Sequence, residues 1–164
     1  MATGRHGKYQ LDVTACDVAD VVRSAGGWLY DRGRAGWDVT VVVSRDDDVT
    51  PLRILGVRTE QASSDADATA PPTARALAVS ACAMAEDGPL RDDVLRALKR
   101  GLTEVTLWGD SGAGGIERGV ESVDHVLSAA ARAFKSHALR AAGVDEPVGS
   151  VETFRRRSTA FLAD

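Results

Sequence analysis

Tyr9, Leu11 and Val13 alternate with polar neighbours in KYQLDV, residues 8–13, the two-residue period of a half-buried strand. From Val18 the period changes. Val18, Val22, Ala25 and Leu29 recur on one helical face, flanked by Val21 and Trp28, while Asp20, Arg23, Ser24 and Asp31 point elsewhere. Thr14 and Asp17 predict a capping-box start, Gly33 or Gly36 the end, and Gly26–Gly27 a close approach to a sheet or a kink. Residues 38–44 and 52–57 read as strands joined by an acidic turn, an antiparallel hairpin. The polar, proline-ended stretch 59–73 predicts a flexible surface loop. Residues 74–87 are apolar around most of a helical circumference and predict a buried helix. Pro89 opens the next helix, with Leu90, Val94 and Leu98 inward and Gly101 as its stop, and a strand follows at 102–108. Val120, Val123, Leu127, Ala131 and Phe134 fall at helical spacing and predict a helix over 120–142. A short C-terminal helix is expected over about 150–162, packed through Phe154 and Phe161.

These elements predict an α/β fold: a single compact domain over 1–164, its small mixed sheet of about four strands, one hairpin among them, covered by four to five helices. With 44% apolar and 27% charged residues, wholesale disorder and membrane residence are both disfavoured. A net charge of −4 offers no global attraction to phosphate backbones or anionic lipids, so neither nucleic acid nor a membrane is an expected partner. Cys16 and Cys82 lie far apart and form no CxxC pair, which reads as free thiols in a reducing compartment. The start has no apolar core of a signal segment, and a cytoplasmic location is expected.

The most distinctive stretch is LWGDSGAGGIE, Leu107 to Glu117. Gly109, Asp110, Ser111 and Gly112 are similar to the nucleophile motif of trypsin-like proteases, but none of His6, His125 and His137 lies in a matching motif, and the helix-rich pattern contradicts that fold. GDSGAGGIE also resembles the phosphate-binding loop of P-loop NTPases, placed after a strand and before a helical pattern. The resemblance implies a lysine and a magnesium-binding Ser/Thr where this chain has Gly115 and Ile116, so the phosphate charge and the metal lose their partners. What survives is a candidate anion cradle of Gly109, Asp110, Ser111, Gly112, Gly114 and Gly115, with Arg118 beside it. Its plain alternative is a flexible strand-to-helix connector capped by Asp110 or Ser111.

Other candidates carry less chemistry. His125 and His137, twelve positions apart on one expected helix, diverge by about 120° and cannot share a metal through it. Asp46, Asp47 and Asp48 lack the alternating spacing of a calcium loop and read as a solvated turn. Arg132, Lys135, Arg140 and Arg155 to Arg157 would form a basic face, without any nucleic-acid-binding signature. Trp28, Trp37 and Trp108 fall at element ends, where α/β ligand sites collect and where cores are also capped. No catalytic residue, cofactor or metal site is assigned. The leading expectation is a non-catalytic regulatory or assembly module that acts through a protein partner or a second copy; the alternative is a small-molecule or anion/phosphate-binding protein or enzyme using the glycine-rich loop 109–115.

Overall fold

The computed structural model describes residues 9–61, 75–101, 103–109 and 120–157. Gln10–Ala15 (β1) is strand as its alternation predicts, with Leu11, Val13 and Ala15 fully buried. Val18–Arg34 (α1) follows, capped by Asp17, whose Oδ1 accepts from the Asp20 N–H at 2.8 Å. The cap is therefore Asp17 itself rather than Thr14. Asp38–Val43 (β2) lies parallel to β1.

The expected hairpin is replaced by a crossover. Thr50–Ile54 (α2) turns the chain, and Arg58–Gln61 (β3) returns parallel to β2, so the second strand of the hairpin and the first residues of the expected loop both change role. Pro51 sits in the first turn of α2, where a missing N–H costs nothing, and Leu52 and Leu55 are buried in the cluster between α2, α1 and the helix Ala129–Ala141. Gly56, at φ +81, makes the left-handed turn out of that helix.

Arg75–Ser80 (β4) and Ala81–Glu86 (α3) occupy the stretch expected to be one buried helix. β4 lies between β1 and Glu104–Trp108 (β5), parallel to both. A strand buried on both faces is apolar throughout and lacks alternation, so sequence periodicity cannot distinguish it from a buried helix. Ser80 ends the strand by accepting the Ala83 N–H. Gly88–Arg100 (α4) has Pro89 at its start and Gly101 in the left-handed conformation at its end, as expected.

The C-terminal third departs most from expectation. Val120–Val126 (β6) and Ala129–Ala141 (α5) replace the helix over 120–142, and Val151–Arg157 (β7) replaces the C-terminal helix. β7 enters antiparallel between β5 and β6, completing a seven-stranded sheet in the order β3-β2-β1-β4-β5-β7-β6. The α/β class therefore holds with a larger sheet and with five helices among the described residues. Ala76 and Ala78 of β4 join the apolar cluster beneath α1, α2 and α5, whereas Val79, Val105 and Leu107 join a second cluster under α3 and α4. Helices thus cover both faces of the sheet. Gly27 is required by one contact: a Cβ there would overlap the Leu127 side chain at the β6–α5 junction, and its N–H approaches Glu152 of β7, so the expected close approach to the sheet is present. Among the described residues, no helix is long and apolar enough to cross a membrane.

Candidate functional site

In an open parallel sheet, ligands collect where adjacent strands send their chains to opposite sides. That point lies between β1 and β4 here: β1 leads through α1 to β2, β4 leads through α3 and α4 to β5, and the strands are in register from Gln10 opposite Arg75 to Thr14 opposite Val79. Cys16 directly follows β1, and Cys82 is the second residue after β4. Their sulfurs are joined in a disulfide across this junction. The free-thiol expectation is therefore corrected, since 66 residues of separation in sequence close to a 6.0 Å Cα–Cα distance only when the two strands pair.

Two concavities open nearby. One of about 290 Å³ is bounded by Trp108 and Gly109 at the end of β5, Arg23 and Ser24 of α1, and the buried pair Lys135 and Glu152. The other, about 520 Å³, is lined by Asp17, Arg23, Arg45, Asp47, Asp48 and Pro51, among others. Arg23 reaches both, and its guanidinium pairs at 3.3 Å with Glu146 while remaining half exposed. The Trp108 indole donates to Asp20 Oδ2 at 2.9 Å, and the Ser24 hydroxyl donates to Asp20 Oδ1 at 3.1 Å, so one carboxylate orients two residues of the wall.

Behind this wall lies the most deeply buried charge in the described residues. Lys135 Nζ is 2.7 Å from Glu152 Oε2 and also donates to the Arg23 carbonyl at 2.8 Å. Glu152 accepts the Gly27 and Trp28 N–H groups at 2.8 and 2.7 Å. Every charged atom of the pair is satisfied by α1, so the pair joins α5 and β7 to that helix. The N-terminus of α1, where an anion would otherwise be welcome, is filled by the chain itself: Asp17 caps it, and Asp47 Oδ2 accepts the Val18 N–H at 3.1 Å.

Of the loop candidates, Gly109 alone is described. It has φ +103, a Cβ on it would press on Ala81, and its carbonyl accepts from Arg155 Nη2 at 3.1 Å. Asp110, Ser111, Gly112, Gly114, Gly115 and Arg118 lie outside the described residues. Gly109, the residue after β5, lines the smaller concavity.

The remaining candidates have structural duties. The acidic run connects β2 to α2 and is no hairpin turn, although Asp46 and Asp48 are exposed as a solvated turn requires; Asp47 accepts the Val18 N–H, and hydrogen bonds from the Thr50 N–H and hydroxyl hold the Asp48 carboxyl below its usual range. The expected basic face breaks up: Lys135 is buried, Arg155 turns to Gly109, and Arg156 contacts Thr106 and Glu104. Trp28 packs on Phe154 and Trp37 on Tyr9, leaving Trp108 as the tryptophan at the candidate site.

His125 lies on β6 rather than on a helix with His137. Its Nε2 is 2.8 Å from Asp31 Oδ2, while the Ser128 hydroxyl donates to Asp31 Oδ1 at 2.6 Å. The hydroxyl meets the carboxylate and not the imidazole, so this is a cap on α5 and not a nucleophile with its base. Burial pushes the Asp31 carboxyl upward, but hydrogen bonds from the Ser128 hydroxyl, His125 and the Ser128 N–H, with the charge of His125, outweigh it and hold the pKa below the ordinary value. A carboxyl lowered on folding stabilises the protein above its unfolded pKa of about 4 and loses that contribution as pH falls through the folded value. Asp31→Asn is accordingly expected to be less stable than wild type near pH 7, with the gap closing below about pH 4. Urea midpoints measured across pH 2 to 7 check this, and a gap independent of pH refutes it.

No protein-family model matches the chain, and no curated protein matches it. Solved structures do. The fold is similar to that of a deacetylase triple mutant from the teicoplanin biosynthetic pathway, with a TM-score of 0.58 and 17% identity over 91% of this chain and 98% of the other. The zinc-inhibited form of teicoplanin deacetylase Orf2 gives 0.57 at 15% identity, covering 91% of this chain and 98% of that one. The A40926 pseudoaglycone deacetylase Dbv21 gives 0.58 at 15%, covering 88% and 95%. At such identities the likeness is one of fold. It nevertheless overturns the expectation of a non-catalytic regulatory or assembly module, because these chains of the same fold are named as catalysts.

Proposed function

We propose that this protein is an enzyme that binds a small organic molecule at the carboxyl ends of β1, β4 and β5 and hydrolyses an N-acyl linkage in it. The observation that carries the reading is the concavity of about 290 Å³ at the end of β5, lined by Trp108, Arg23 and the Lys135–Glu152 pair among others. The deacetylase fold of the neighbours supplies the reaction class. Deacylation liberates a carboxylate, and the glycine-rich loop 109–115 with Arg118 is the segment we assign to hold that anion. A cytoplasmic location belongs to the same proposal.

The test is release of free amine from a panel of N-acylated amino sugars and N-acyl amines, followed with an amine-reactive fluorophore. Wild type is expected to turn over at least one class of them. Arg23→Ala, at a half-exposed position, is expected to lower kcat/KM by about tenfold or more without unfolding the protein. A parallel thermal-stability screen with the same compounds reads binding alone, with Gly114→Asp expected to abolish any shift. Shifts without amine release would overturn the hydrolysis and keep the binding site; neither shift nor release would overturn both.

A further inference from the structure

Three ligand atoms lie within 4.8 Å of one another at the β1–β4 junction: Cys16 Sγ, Cys82 Sγ and a carboxylate oxygen of Glu86. Their arrangement follows from local structure. Cys16 is 1% exposed and sits in the cluster beneath α3 and α4, its carbonyl bound by the Ser44 hydroxyl and the Arg45 N–H. Cys82 and Glu86 are four residues apart on α3, hence on one face of it, and both are exposed. Glu86 Oε2 is 3.6 Å from Cys82 Sγ. A disulfide sulfur has no proton to donate, so this approach becomes a bonding contact only when the pair is open.

We propose that Cys16–Cys82 is a reversible disulfide whose reduced form, together with Glu86, binds a thiophilic divalent cation, zinc by preference. The opening step balances with a dithiol reductant. A thiolate of the reductant attacks the exposed Cys82 Sγ, and the S–S bond breaks with its electron pair on Cys16 Sγ. The second thiol of the reductant then displaces Cys82 and leaves as the reductant's own disulfide, so that two electrons and two protons reach the protein. Binding of the metal by the two thiols releases two protons.

The donor set selects the ion. Two thiolate sulfurs and one carboxylate oxygen suit zinc and disfavour magnesium or calcium, which take oxygen ligands. Three protein ligands with an exposed side leave a fourth position for water or a substrate atom. The site therefore joins the ends of the two central strands by a covalent bond in one redox state and by a metal in the other. The inference does not rest on acyl hydrolysis, and metal uptake is its readout.

The decisive experiment titrates the full chain with zinc after reduction by a dithiol and removal of the reductant, using a chromophoric chelator as competitor; cobalt substitution then reports sulfur-to-metal charge transfer. Reduced wild type is expected to take up zinc with a cobalt spectrum of thiolate character, and oxidised wild type to take up none at this site. Cys82→Ser is expected to lose the thiolate spectrum. Glu86→Gln, at an exposed position, is expected to keep the disulfide when oxidised and to bind zinc about tenfold or more weakly when reduced. Circular dichroism of each variant establishes that it is folded. Failure of reduced, folded wild type to outcompete the chelator, or undiminished affinity in Glu86→Gln, would overturn the proposal.

Discussion

Lys135→Met is expected to lower the unfolding free energy by about 3–5 kcal/mol, the usual consequence of removing one partner from a buried ion pair. The side chains of Lys135 and Glu152 are only 7% and 3% exposed, so water cannot replace the lost ammonium. Glu152 would keep the Gly27 and Trp28 N–H groups but carry an uncompensated charge, and the Arg23 carbonyl would lose its donor. The cost should therefore come from the group left behind. The double variant Lys135→Met/Glu152→Gln removes both charges and keeps an amide oxygen for the two N–H groups, and is expected to recover a good part of the loss. Urea unfolding followed by tryptophan fluorescence measures both. A single variant within about 1 kcal/mol of wild type would show that the pair is not the clamp between α1, α5 and β7 described above.

Loss of the Cys16–Cys82 bond is expected to cost nearly as much by a different route. Closing a loop across 66 residues restricts the unfolded chain, and the chain-entropy relation puts the contribution at about 4 kcal/mol. Cys82→Ser is the appropriate variant, since its hydroxyl falls at an exposed position whereas a serine at Cys16 would be buried. Wild type in excess dithiol without metal should unfold at the midpoint of Cys82→Ser, and zinc should restore stability to the reduced wild type but not to the variant. An unchanged wild-type midpoint on reduction would remove the disulfide from the account of stability.

The two groups with the largest expected effects were read differently from the sequence, for related reasons. Glu152 stands in VETFRRR at an inward position of β7, two residues before the buried Phe154. A strand whose buried side carries Glu152, Phe154 and Arg156 does not look like apolar alternation, so the segment reads as a short helix packed through its phenylalanines. Its place in the sheet is decided by β5 and β6 on either side and by Lys135, none of which is near in sequence. The cysteines likewise had no CxxC spacing, and only the pairing of β1 with β4 brings them together.

Where an element carries its own local signal, the chain declares its structure by itself. β1, α1, α4 and β5 follow from alternation, an amphipathic face, Asp17 as a cap and the Pro89–Gly101 punctuation, all interactions within a few residues. The α/β class follows from the succession of those elements. Tertiary structure decided the rest. The uninterrupted apolar run of β4 is strand because neighbours pair with it on both edges, and Val120 and Val123 lie on β6 because β7 hydrogen-bonds alongside. The Leu52 segment is a helix whose apolar side packs on α5 and α1, elements far from it in sequence. The Cys16–Cys82–Glu86 cluster and the wall built by Trp108, Asp20 and Ser24 depend on strand order as well, since local propensity acts over a few residues while these groups come from segments tens of residues apart.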